Sequence, residues 1–222
     1  MRLIAIDTAQ EACSVGVVDG DRQVLKSEVI GRGHAERLMD MIAVAMDEAG
    51  LGFGDLERIA VTVGPGSFTG LRVGIAAARG LALACSAPAI GIGTLAVHAE
   101  SVRHEVGETP VLAVLSAGRG EIYGQSFAAD GTPEAPPEAA PAATFARRIA
   151  ANTLIAGSGA AALAEILGDE ARARTVHENS APDIASLCRL ALAAAPTGEA
   201  PRPLYLRPPD AKPQLSGRIA RQ

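Results

Sequence analysis

Seven residues, Gly64, Pro65, Gly66, Ser67, Phe68, Thr69 and Gly70, stand between an apolar run at 59–63 and a small-residue stretch at 71–84. Three glycines and a proline in so short a span dictate a tight strand-to-helix turn. Glycine alone enters positive-φ space without a Cβ clash, and proline presets its own φ. Such a turn can lead backbone N–H groups onto an anion at the start of a helix. A phosphate loop of the Walker type ends Gly-Lys-Ser/Thr, whereas here Gly70 is followed by Leu71 and no lysine stands nearby. The segment has the shape of a phosphate cradle without its cation.

The remainder of the chain narrows what the loop can serve. Hydrophobic residues make up 48% of the 222 residues and tryptophan is absent, so the core must rest on aliphatic and alanine contacts. A net charge of −5 excludes a chain that grips nucleic acid by itself, because phosphate neutralisation needs a clustered Lys/Arg surface. An aromatic content of 3% leaves few platforms for stacked bases. Cys13, Cys85 and Cys188 are odd in number and far apart, which suits buried thiols in a reducing compartment and points to the cytoplasm. A charge is met within the first seven residues, so neither a secretory apolar segment nor a membrane span is expected.

Periodicity gives an element order. Residues 3–6, 12–18 and 22–30 read as three strands in a meander, with Asp19-Gly20 as the hairpin turn between the second and third. Residues 34–49 read as a helix with Leu38, Ile42, Ala45 and Ala49 at helical spacing and Gly50 as its C-terminal cap; Met39 and Met46 add a second stripe. A strand at 59–63, the glycine loop, a helix at 71–84 and a strand at 89–91 follow. The plan then repeats: strands at 111–115 and 121–128, an Asp130-Gly131 turn, a strand at 151–157 running into Gly157-Ser158-Gly159, and a helix at 160–167. The Ala/Pro/Glu segment 131–143 is expected to be an exposed loop, and the proline-rich tail from residue 196 to be extended. Two facing mixed α/β units follow from such a duplication.

The motifs Ile6-Asp7-Thr8-Ala9, Glu11-Ala12-Cys13-Ser14-Val15, the whole block from Gly64 to Gly74, Gly93-Thr94-Leu95, Gly120-Glu121-Ile122-Tyr123 and Tyr205-Leu206-Arg207 resemble the TsaB (YeaZ) family. The resemblance spans almost the full chain and is densest before residue 95. It implies an α/β fold of the duplicated actin-like (ASKHA, RNase H-like) type, with mixed sheets flanked by helices. An N-terminal domain at 1–100 and a C-terminal domain at 101–222 that carries the tail would share it. It further implies a noncatalytic scaffold in the addition of a threonylcarbamoyl group to tRNA adenosine, needing no cofactor. Its expected partners are TsaD and TsaE, with a homodimer when alone, tRNA met only through the complex, and no membrane. Many family members carry Asp where this chain has Ser116, and Thr-Gln where it has Ala35-Glu36.

Against that background, Asp7 and Thr8 sit where an actin-like ATPase places its first phosphate hairpin, and a carboxylate there can hold Mg²⁺ through water. The alternative is that Asp7 accepts hydrogen bonds from the turn that follows it, as Asp commonly does. The serine at the matching position 116 favours the second. An actin-like ATPase or small-molecule kinase is accordingly the competing function. A protease is not supported: His34, His98, His104 and His177 form no His-Glu-x-x-His, and His98 and His104 diverge on a helix. No metal site is expected. The helix after the loop places Gly70, Gly74 and Ala78 on one face, and the preceding helix carries Met39, Ile42 and Met46. These six residues are expected to form the docking surface for TsaD.

Overall fold

The computed structural model describes residues 1–178, 181–196 and 198–207. Strands β1 (Arg2–Asp7), β2 (Ala12–Asp19) and β3 (Arg22–Val29) form an antiparallel meander, and β4 (Arg58–Gly64) and β5 (Ala89–Gly93) extend the sheet in parallel from β1, giving the order β3-β2-β1-β4-β5. The second sheet repeats this scheme. Its central β6 (Val111–Gly118) pairs antiparallel with β7 (Glu121–Phe127), β7 with β8 (Glu138–Pro141), and β9 (Leu154–Ala156) and β10 (Thr175–His177) continue in parallel, giving β10-β9-β6-β7-β8. Read from opposite edges the two orders coincide. The duplication is topological, and the fold is the actin-like one.

Strand alternation decides which helix covers which face. In β1, Ile4 and Ile6 point into a core closed by α1 (His34–Ala49) and α2 (Phe68–Cys85), while Leu3 and Ala5 point to the other side, against α7 (Ile184–Ala193). All four are fully buried, so β1 reads as a continuous apolar run rather than an alternating one. In the second sheet Leu112, Val114 and Ile155 pack against α4 (Ala142–Ala146), α5 (Ala160–Leu167) and α6 (Asp169–Arg174). Val111, Ala113 and Leu115 pack on the opposite face against Leu95, Ala99 and Val102 of α3 (Thr94–Val106). Val97 of the same helix joins the first sheet's core. Helix α3 is therefore the shared layer between the sheets.

The division expected at residue 100 falls inside α3, the helix that packs on both sheets. Helix α7 comes from the second half of the chain yet covers the first sheet, and Arg58 at the start of β4 holds it there. The Arg58 guanidinium donates to the carbonyls of Ala191, Leu192 at 3.3 Å and Ala194 at 2.7 Å, satisfying groups that the end of a helix leaves open. At its start Asp183 caps the helix, accepting from the amides of Ala185 and Ser186.

The segment 131–143 is not the loop expected. Residues Glu138–Pro141 pair with β7 as an edge strand, Tyr123 opposite Ala139, and Ala142 begins α4. Backbone pairing on an edge needs no bulky side chain, and Pro141 closes the strand where a missing N–H costs least. The strand expected at 151–157 is confined to Leu154–Ala156. Residues 201–205 carry no helix or strand, as read; Pro208, Pro209 and Pro213 lie outside the described residues. The three cysteines are free, Cys13 and Cys188 buried and Cys85 half-buried.

Candidate functional site

Sequence reasoning centred on the turn after β1 and the glycine loop after β4, and the two meet. Asp7 ends β1 fully buried. Its Oδ1 accepts from the Thr62 hydroxyl at 2.5 Å and from the Ala9 amide at 3.2 Å, whereas its Oδ2 is buried without a hydrogen-bond partner. Burial pushes the Asp7 carboxyl up to about 6, against the downward pull of the Thr62 and Ala9 donors. The Thr8 hydroxyl donates to the Gly70 carbonyl at 2.8 Å, and the Ser67 amide donates to the Ala9 carbonyl at 2.7 Å. Thr8 thus spends its hydroxyl inside the chain, whereas Asp7 spends one carboxylate oxygen there and keeps the other buried and unpartnered.

The glycine spacing has the same explanation. A Cβ on Gly66 would strike the Ala9 carbonyl, one on Gly70 the Thr8 carbonyl, and one on Gly74 the Thr8 hydroxyl. Residues 66, 70 and 74 lie along one line of the loop and helix, and that line lets the start of α2 press backbone to backbone on the 8–9 turn. Ser67 caps α2, accepting from the Gly70 amide at 3.2 Å, so the helix begins at Phe68, three residues earlier than periodicity placed it.

Facing this turn across a cleft of about 360 Å³ is the β6–β7 hairpin. Gln10, Glu11, Gly66 and Ser67 line one side, Ser116 and Tyr123 the other. Glu11 is the one charged residue in that lining, and a carboxylate repels the anion that a phosphate cradle attracts. The chain's two lysines are Lys26, which pairs with Glu48 at 2.6 Å, and Lys212, outside the described residues. Ser116 stands where a second acid would be needed, and its amide is held by the Ser158 hydroxyl at 3.2 Å. Among the described residues no three His, Cys, Asp or Glu side chains converge. His98 is buried and His104 exposed on opposite sides of α3.

The expected docking residues need correction. Ile42 and Met46 are buried in the core beneath α1, and Gly70, Gly74 and Ala78 are buried beneath α2. Apart from Met39, the two apolar stripes of α1 belong to one broad arc, Leu38, Met41, Ile42, Ala45 and Met46, which is buried in the core of the first sheet. Met39 alone of the six is exposed, at 51%. The faces left bare are others. On α2 they run through Phe68, Arg72, Ala76, Arg79 and Leu83, with Leu83 at 85% exposure; on α1, Ala43 and Val44 join Met39. Five α2 positions recurring at steps of three and four were the signal in the sequence. The glycines on the other side of the helix masked it.

Fold and site together define a duplicated actin-like body whose first hairpin turn is sealed by its own glycine loop. The family model for TsaD, tRNA N6-adenosine threonylcarbamoyltransferase, matches residues 26–149. YeaZ from Pseudomonas aeruginosa superposes with a TM-score of 0.76 at 29% identity, over 92% of this chain and 100% of that one. The chain belongs to the TsaB (YeaZ) family. A second Pseudomonas aeruginosa structure, of an uncharacterized protein with similarity to peptidase YEAZ, gives a TM-score of 0.78 at 31% identity over 93% of this chain and 99% of that one. The Escherichia coli tRNA threonylcarbamoyladenosine biosynthesis protein TsaB is 39% identical over 130 residues, 59% of this chain and 56% of that protein. The match thus spans about half the length of that curated relative.

Proposed function

We propose that this chain is a noncatalytic partner subunit in the synthesis of threonylcarbamoyladenosine on tRNA, acting in the cytoplasm beside TsaD and TsaE. One observation carries the proposal. Helix α2 is long and apolar enough to cross a membrane, yet only six of its 18 residues are buried in the chain. Its buried line seals the 8–9 turn. Its bare line, Phe68, Ala76 and Leu83 interleaved with Arg72 and Arg79, leaves a mixed apolar and cationic surface that a partner can cover, with Met39, Ala43 and Val44 of α1 exposed as well. The match to a TsaD family model supports a related actin-like body as that partner, and the same faces serve a homodimer when it is absent. Helix-on-helix packing at close range suits Ala43, Ala76 and Gly80, all exposed.

Reconstitution of threonylcarbamoyl transfer with TsaD and TsaE, with and without this chain, tests the role. Loss of transfer on omission, with no turnover of Mg-ATP by the chain alone, is the expected result. Transfer undiminished without the chain, or ATP turnover by the chain alone, would sink it.

A further inference from the structure

Beyond α7 the chain returns across the front of the molecule. A Cβ on Gly91, in β5, would lie 3.5 Å from Pro201, and the Leu204 amide donates to the Val63 carbonyl at 2.7 Å. Gly64 has φ 116° and a Cβ there would meet the Leu204 carbonyl at 2.8 Å, so this position admits the crossing segment only as glycine. Tyr205 then stacks on Phe68, ring centroids 5.2 Å apart, and its hydroxyl accepts from Arg72 Nε at 3.1 Å. Arg72 itself lies over the Phe68 ring, 3.7 Å from the centroid. Two residues on, Arg207 reaches the other side of the cleft, donating to the Ala117 carbonyl at 2.6 Å and pairing with Glu121 at 3.4 Å.

We propose that residues 201–207 are a strap, anchored on β4 and on the first turn of α2, that holds the β6–β7 hairpin and thereby sets the width of the cleft between the two sheets. The anchors are unequal in kind. On the first sheet the strap is held by backbone pairing and a three-membered aromatic and guanidinium stack. On the hairpin it is held by one guanidinium making a charge-assisted contact and a carbonyl bond, and Ala117 lies beside Ser116 in the cleft lining. Removing that guanidinium frees the hairpin and leaves the rest seated. Phe68 and Arg72 also belong to the bare line of α2, so an occupant of that face meets the strap directly. The strap itself is a property of the chain alone.

Hydrogen exchange on the full chain, followed by mass spectrometry, separates the possibilities. In Arg207→Ala, amides of residues 116–121 should exchange about tenfold faster, with residues 2–7 of β1 unchanged. Tyr205→Phe, which keeps the stack and loses only the Arg72 bond, should change the hairpin less than Arg207→Ala does. Exchange at 116–121 equal to that of the unmodified chain would overturn the strap. A rise in Arg207→Ala spread equally over β1 and the hairpin would overturn it too, because that marks loss of global stability.

Discussion

The two halves carry one topology and use it differently. In each, a glycine loop after the parallel strand crosses close to the central strand or to the turn that ends it. Gly64 and Gly157 both have positive φ, and a Cβ on Gly66 would strike the Ala9 carbonyl as one on Gly157 would strike that of Val114. The helix that follows differs. Helix α2 runs 18 residues, and a second glycine pair, Gly70 and Gly74, continues the line of contact onto the 8–9 turn. Helix α5 runs eight residues and buries Ala160 and Leu163. At the end of the central strand the first half buries a carboxylate, Asp7, where the second exposes a hydroxyl, Ser116. Duplication kept what the sheet needs, the crossing of loop over strand, and let the helix and the strand end drift. A shared topology therefore does not bring the same side chains to the end of the central strand in both halves.

Filling the contact line gives the largest expected effect. Gly74→Leu forces a side chain into the Thr8 hydroxyl and the Val61 side chain, and should cost about 3 kcal/mol or more. Ala161→Leu on α5 puts the same group in solvent and should stay within about 0.5 kcal/mol. Denaturant melts of both variants test the asymmetry, and equal losses would show that the halves seal their loops alike. The bare face comes next. Leu83→Asp should weaken capture of TsaD about 100-fold, the size of a hot-spot loss, with the melting temperature unchanged. Ile166→Asp, at an exposed apolar position on α5, should leave capture as it was. Weakening by both variants alike would place the docking surface across the two halves.

How far these differences were legible follows from their physical origin. The helix His34–Ala49 and its Gly50 cap agree with the structure residue for residue, because helical spacing and a left-handed glycine are local signals. The first meander and the first two strands of its repeat were legible for the same reason. Which side of α2 is covered was not. Small residues at 70, 74 and 78 announce close approach without naming the neighbour, and here the neighbour is the chain's own 8–9 turn. Helix α7 escaped because its role depends on Arg58, 133 residues away from the carbonyl of Ala191. The edge strand at Glu138–Pro141 escaped because alanine and proline carry no strand propensity and backbone pairing alone holds it.

The smallest expected effect sharpens the contrast between Asp7 and Ser116. Asp7 is raised from the ordinary carboxylate value of 3.8 to about 6 by its burial, so the folded chain binds its proton more tightly than the unfolded one. Its contribution to stability is full below about pH 3.8 and is lost as pH rises through about 6. Between pH 5 and pH 7.5 the wild-type chain should therefore lose about 1 kcal/mol relative to Asp7→Asn, which cannot ionise. Ser116→Ala, at a position that does not titrate, should run parallel to wild type over the whole range. Urea melts at pH 5, 6, 6.5 and 7.5 supply the curves. A wild-type curve parallel to that of Asp7→Asn would mean that the buried Oδ2 finds enough solvation to titrate as a surface carboxylate does. The seal of the glycine loop over the first turn would then be looser than its hydrogen bonds describe.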